Sequence, residues 1–130
     1  MGSGGDTKPV ATGGDDDGHG RTLCLVFTQP VAGREREYHD WYDNQHVQDV
    51  VRVPGVLSAQ RFDAVGSGPA GESTPPRFLA VYEISGDPVR TVEELQRRFG
   101  TAEMPPSEAL DLRTASMTFW SPRGGKTRAG

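Results

Sequence analysis

Apolar residues recur along this chain with two periods, and the two periods divide it into six elements. Residues 22–28, Thr-Leu-Cys-Leu-Val-Phe-Thr, form a short apolar run rich in strand formers and bounded by polar turn residues, which predicts a first strand. Pro30 and Gly33 mark the connection that follows. Residues 34–51 lack internal Gly and Pro and stop before Pro54-Gly55, as a helix does. Residues 56–64 alternate, with Leu57, Ala59 and Arg61 facing one way and Ser58, Gln60 and Phe62 the other, and predict a second strand. Residues 77–84 are nearly continuously apolar, which predicts a central third strand covered on both faces. Asp87 as N-cap and Pro88 at the first helical position open a second helix, in which Val89, Val92, Leu95 and Phe99 recur at helical spacing before Gly100. Residues 111–120 form a fourth strand, with Ala115, Met117 and Phe119 alternating against Ser116, Thr118 and Trp120.

The order strand, helix, strand, strand, helix, strand predicts an α+β domain of the ferredoxin-like, split β-α-β type: a four-stranded antiparallel sheet with both helices on one face. The other face then has no cover from the chain itself. Phe27 and Trp120 are expected to line it, so a second copy stacking sheet against sheet is the expected partner, giving a homodimer.

Composition changes this picture mainly at the ends. Residues 1–20 are rich in Gly, Asp, Ser and Thr, include Asp15, Asp16, Asp17 and His19, and are expected to be disordered. Residues 122–130 read as a polar, mildly basic disordered tail, which leaves residues 21–121 as the folded domain. The loop 65–76 holds three Gly and three Pro and is expected to be mobile. A net charge of −4 without a long basic run disfavours nucleic acid as a partner. No apolar stretch reaches the roughly 20 residues that span a bilayer, and the N-terminus lacks an apolar signal core, so a soluble cytoplasmic protein is expected. A lone cysteine, Cys24, lies in the first apolar run, where it reads as a buried small hydrophobe.

The candidate chemistry sits on the first helix. Residues 38–46 carry Tyr38, His39, Trp41, Tyr42, Asp43 and His46 on a few turns. At about 100° per residue, His39, Asp43 and His46 fall on nearly one line with Tyr42 beside them. The aromatic and apolar positions do not form one stripe on a straight helix, and a kink near Asn44 to His46 would reconcile them. Two histidines seven residues apart are separated by roughly 10 Å on a straight helix, too far to ligate one ion, so no metal is expected. Acid/base chemistry needs less: a histidine titrating near neutrality, a carboxylate one turn away to fix its tautomer, and a tyrosine to hold a substrate oxygen. His46, Asp43 and Tyr38 or Tyr42 meet that requirement, and Trp41 reads mainly as packing.

The run Glu37-Tyr38-His39-Asp40-Trp41-Tyr42-Asp43-Asn44-Gln45-His46, followed by Val53-Pro54-Gly55 and then Arg61-Phe62, resembles the EthD-like branch of the dimeric α/β-barrel superfamily. The match is close over about 25 residues and extends by element order over roughly 100. It implies two ferredoxin-like subunits whose sheets form a barrel, with a pocket in each subunit between sheet and helices. His46 matches the motif histidine, Trp41, Tyr42 and Asp43 its Trp-Tyr-Asp, Tyr38 its leading aromatic and Arg61 its strand arginine, whereas His39 matches no position and is expected at the surface. Val47-Gln48 stands where relatives often carry a proline. Relatives in the wider superfamily include polyketide cyclases, muconolactone isomerases, cofactor-free monooxygenases and haem-dependent peroxidases, the last with larger subunits. The expected function is a cofactor-independent cyclase, dehydratase or isomerase acting on a small aromatic or polyketide-like molecule. In it, His46, Asp43 and Tyr38 do the chemistry while Tyr42, Trp41 and Arg61 bind the substrate. The alternatives are a cofactor-free monooxygenase of a phenolic or quinone-type substrate and a non-catalytic small-molecule-binding barrel.

Overall fold

The computed structural model describes residues 21–66 and 78–130. The expected disorder of residues 1–20, the role of His19 and most of the loop 65–76 lie outside the described residues. The elements are β1 (Arg21–Pro30), α1 (Glu35–Trp41), a π-helical turn (Tyr42–His46), α2 (Val47–Val51), β2 (Val56–Asp63), β3 (Phe78–Ser85), α3 (Pro88–Arg98) and β4 (Leu110–Trp120). The strands form one antiparallel sheet in the order β2-β3-β1-β4, which is the ferredoxin-like order the element sequence predicts. Residues 121–130 are exposed and carry no helix or strand.

Register divides the sheet into two faces. Thr28, Val26 and Cys24 of β1 lie opposite Phe78, Ala80 and Tyr82 of β3, and Arg61 and Ala59 of β2 lie opposite Ala80 and Tyr82. These residues share the face on which the helices pack, and Cys24, Thr28, Phe78, Ala80, Tyr82 and Ile84 are buried there. On the other face Leu23, Leu25 and Phe27 stand beside Leu79, Val81, Phe62 and Trp120. Nothing in the described chain covers it: Trp120 is 56% exposed and Phe62 42%. The third strand is therefore central, as its apolar run predicts, but strictly alternating burial along it shows one face packed by this chain and not two. Its apolar outward positions belong to the open face.

Local sequence explains where the helices stop and start. The Asp87 carboxylate accepts from the Val89 N–H at 2.9 Å and Pro88 takes the first helical position, so α3 begins where the cap chemistry places it. Its buried residue is Thr91, while Val89 is 61% exposed, and of the Val89-Val92-Leu95-Phe99 series it is Leu95 and Phe99 that pack against the core. Thr91 packs against Gly55, the turn residue after α2, whose φ of +100° lies in the left-handed region and whose carbonyl accepts from Ser85 N–H at 2.8 Å. The Pro54-Gly55 turn thus joins the end of the first helical segment to both β3 and α3.

Candidate active site

The first helical segment is continuous from Glu35 to Val51 but widens at Tyr42–His46, where the Val47 N–H reaches the Tyr42 carbonyl five residues back. This is the kink that the mismatched apolar pattern predicts. A π turn adds a residue to one turn, so the residues after it rotate relative to those before it, and such turns concentrate at functional sites. Val47, Val50 and the buried Asp49 consequently pack inward from α2, while Tyr38 and Tyr42 pack inward from the preceding turns.

Tyr42 is the centre of the cluster. Its ring is 3% exposed and lies 5.5 Å from Tyr38, 5.3 Å from Trp41 and 5.1 Å from His46, each edge-on. The Arg61 guanidinium carbon sits 4.3 Å from the centre of the Tyr42 ring and 5.3 Å from that of Tyr38, near enough for a cation–π interaction. The Tyr38 hydroxyl is fully buried and shares a 2.6 Å hydrogen bond with Thr28 Oγ1. Tyr82 brings a third phenol from β3, and burial pushes its pKa well above the ordinary value. Burial likewise raises Tyr38 and Tyr42, so all three phenols are neutral and able to donate at neutral pH. The Tyr82 hydroxyl lies near that of Tyr42 without hydrogen-bonding geometry and has no partner among the described residues.

His46 stacks on Trp41 with ring centres 4.6 Å apart and a 19° angle between planes, and meets Phe99 of the α3 end edge-on at 5.8 Å. Trp41 is fixed in turn by its Nε1–H, which donates to the Pro105 carbonyl at 3.0 Å. The imidazole is enclosed by aromatic rings, and its pKa falls to about 4, first because burial penalises the charged form and then because Arg61 repels it; Asp49 pulls the other way. Its Nδ1 is buried without a partner among the described residues.

The geometry corrects two expectations. Asp43 does not orient His46: its carboxylate is 57% exposed and binds Arg61 Nη1 at 2.7 Å. On a straight helix Asp43 and His46 would be neighbours one turn apart, and the π turn rotates His46 away from that line. The carboxylate that acts on His46 is Asp49, buried and held by Gln45 Nε2 at 3.2 Å and Arg52 Nη1 at 2.8 Å. Nor is His39 a surface residue. It packs edge-on against Phe78 at 4.6 Å, and its Nδ1 lies 3.2 Å from Arg61 Nη1. Arginine only donates, so this bond requires an unprotonated Nδ1 on His39. The i, i+4 spacing of His39 and Asp43, the second of them only one residue into the π turn, is the signal that points the two at one strand residue. Thr28 and Tyr82 were missed because their strands read as continuous apolar runs with no alternation to mark the inward face, and Asp49 carries no sequence signal separating it from a solvated helix aspartate.

Of the six candidate residues, the structure brings Tyr38, Tyr42 and Arg61 into direct contact and seats Trp41 and His46 against Tyr42. Asp43 joins through Arg61. Tyr38, Tyr42 and Tyr82 are buried between the sheet and the first helix. An open cleft of about 670 Å³ lies on the outer flank of the helix, lined by Trp41 but not by His46. Among the described residues no group of three or more His, Cys, Asp or Glu is placed to hold a metal ion, and no helix is long and apolar enough to cross a membrane.

No protein-family model matches the chain, and no curated protein matches it. Solved structures do. A candidate monooxygenase from Shewanella loihica PV-4 is 12% identical with a TM-score of 0.52, covering 77% of this chain and 90% of that one. An EthD family protein from Bacillus halodurans C-125 is 21% identical with a TM-score of 0.49, covering 77% of this chain and 95% of that one. The chain is ferredoxin-like in fold and EthD-like in motif. At such identities the structural likeness is one of fold, and the EthD-like residues Tyr38, Trp41, Tyr42, Asp43, His46 and Arg61 matter here through their contacts.

Proposed function

We propose that this EthD-like protein is a cofactor-independent enzyme that moves a proton on a small aromatic or polyketide-like molecule, so as to cyclise, dehydrate or isomerise it. The observation that carries the reading is His46: a half-buried imidazole, neutral at neutral pH, whose Nδ1 is buried without a partner among the described residues in an aromatic box. With a pKa near 4 it is the base of the first step and not the acid. Protonating it in this box is unfavourable unless a negative charge forms at the same time, which is what removing a proton next to a carbonyl produces. Arg61 and the neutral phenols of Tyr38, Tyr42 and Tyr82 supply positive charge and donors for that developing oxyanion.

The test is solvent-deuterium exchange at the activated carbon of enolisable aryl ketones, followed by proton NMR. Wild type should catalyse it, and His46→Gln should lower the rate by about 10²–10⁴-fold with the fold intact. Undiminished exchange in that variant overturns the reading. A second reading, a cofactor-free monooxygenase, shares the first step and draws support from the fold likeness to the candidate monooxygenase. It requires oxygen uptake in step with consumption of a hydroquinone.

The open sheet face supports a homodimer formed by sheet-to-sheet packing. Its apolar side chains, Leu25, Phe27, Leu79, Val81 and Trp120 among them, form a patch of the kind monomers seldom leave bare. Light scattering should give twice the chain mass, and Val81→Glu should halve it.

A further inference from the structure

Three surface arginines hold a carboxylate side-on, whereas Arg21 and Arg52 use Nη1 alone and Arg98 uses Nε alone. Arg34 sets Nε and Nη2 on the two oxygens of Glu37, each at 2.9 Å. Arg113 does the same with Asp111, each at 3.0 Å. Arg97 does so with Glu94, at 3.1 and 2.5 Å. Each uses the same edge of the guanidinium, because Nε–H and one Nη2–H run parallel at a spacing that matches two carboxylate oxygens.

Arg61 is arranged differently. Its Nη1 meets Asp43 at 2.7 Å and His39 at 3.2 Å, while Nε and Nη2 are buried without a hydrogen-bond partner among the described residues. The two unpartnered nitrogens are therefore not scattered donors. They are the same parallel pair that Arg34, Arg97 and Arg113 close on a carboxylate. Two charged donors buried and unpaired are unfavourable unless something accepts from them. The guanidinium carbon lies over the Tyr42 ring at 4.3 Å and that of Tyr38 at 5.3 Å, and only 13% of the side chain is exposed. Asp43 neutralises the charge from the opposite nitrogen but leaves this edge open. His39 Nδ1 approaches that same opposite nitrogen and not the Nε/Nη2 edge.

We propose that the Nε/Nη2 edge of Arg61 is the binding point for the carboxylate of a small organic acid, taken side-on through two parallel N–H···O bonds. The ligand of the His46–Arg61 cluster is then an organic acid, its carboxylate on Arg61 and its reactive carbon toward His46. This rests on reading the cluster as a small-molecule site, but not on turnover.

The experiment follows the Arg61 Nε–H resonance in nitrogen-edited proton NMR of the full chain. Acetate and benzoate are added in one series, acetamide and benzamide in another, at matched ionic strength. The acids should move the resonance to saturation, with benzoate binding at least about tenfold tighter than benzamide. Arg61→Lys keeps the charge but loses the fork, and should abolish the difference between acid and amide. Should that variant fail to fold, the wild-type resonance alone decides. An equal response to acids and amides, or none to either, overturns the proposal. Acid selectivity that persists when His46→Gln has lost deuterium exchange supports it independently of the catalytic reading. Acid indifference in a protein whose exchange depends on His46 overturns this proposal and leaves that reading standing.

Discussion

The two helical segments pack on one face of one sheet and are built differently. α3 begins on a side-chain cap, carries paired charges along its exposed side, with Glu94 held by both Arg97 and Arg98, and fully buries only Thr91, while Leu95 packs half-buried against the core. The segment from Glu35 to Val51 has no side-chain cap at Arg34, contains a π turn, and buries Tyr38, Tyr42, Asp49 and Val50. One segment satisfies its polar groups locally. The other leaves His46 Nδ1 without a partner and reaches across to an arginine with two more. Departures from local consistency that the rest of the fold supports are where function collects. The contrast assigns stability to α3 and chemistry to the first segment.

Changes at the joint between the segments should have the largest effect. At Gly55 a Cβ would lie 2.6 Å from Thr91 Oγ1, at a φ of +100°. Gly55→Ala should therefore cost about 4 kcal/mol in urea unfolding, adding a left-handed penalty to a clash between the new Cβ and the buried Thr91 side chain. Gly86→Ala, at φ +76° with open space around it, should cost only about 1 kcal/mol. Similar losses at the two sites would mean that the segments are not tightly joined.

Next comes the pH dependence of the first segment. His46 has a folded-state pKa of about 4 against an ordinary 6.5, so between those values the unfolded chain binds the proton and the folded one does not. The contribution to stability is whole above pH 6.5 and falls away as pH drops through the folded value, by about 3 kcal/mol in all. His46→Phe should flatten unfolding free energy over that window, and an unchanged slope would assign it elsewhere. The smallest effects belong to α3: Asp87→Ala should cost about 1 kcal/mol through the lost cap. Glu94→Gln should change stability least of all, because solvent screens its pairing with the exposed Arg97.

Strands were legible because alternation survives packing: Ala59 and Arg61, and Met117 and Phe119, share the faces their spacing gives them. The start of α3 was legible because Asp87 and Pro88 act over two residues. The first segment was legible as a helix and as the seat of the candidate site, and even its kink followed from the conflict in its apolar positions. What 3.6-residue periodicity cannot supply is side-chain direction beyond a π turn. Asp43 and His46 look paired on a straight wheel, yet one residue of widening sends the carboxylate to Arg61 and the imidazole to Trp41. His39 was misplaced for a related reason: its partners Phe78 and Arg61 come from strands far along the chain. Long-range neighbours also decide that Asp49, and not Asp43, is the acid that acts on His46.

The claim that the first segment presents a half-buried neutral base is tested most directly by titrating the His46 ring resonances by NMR, assigned by comparison with His46→Gln. A midpoint near pH 4 is predicted, rising when Arg61 is replaced by methionine as its repulsion is removed. A midpoint near 6.5, unmoved by that replacement, would place His46 in solvent and contradict the account.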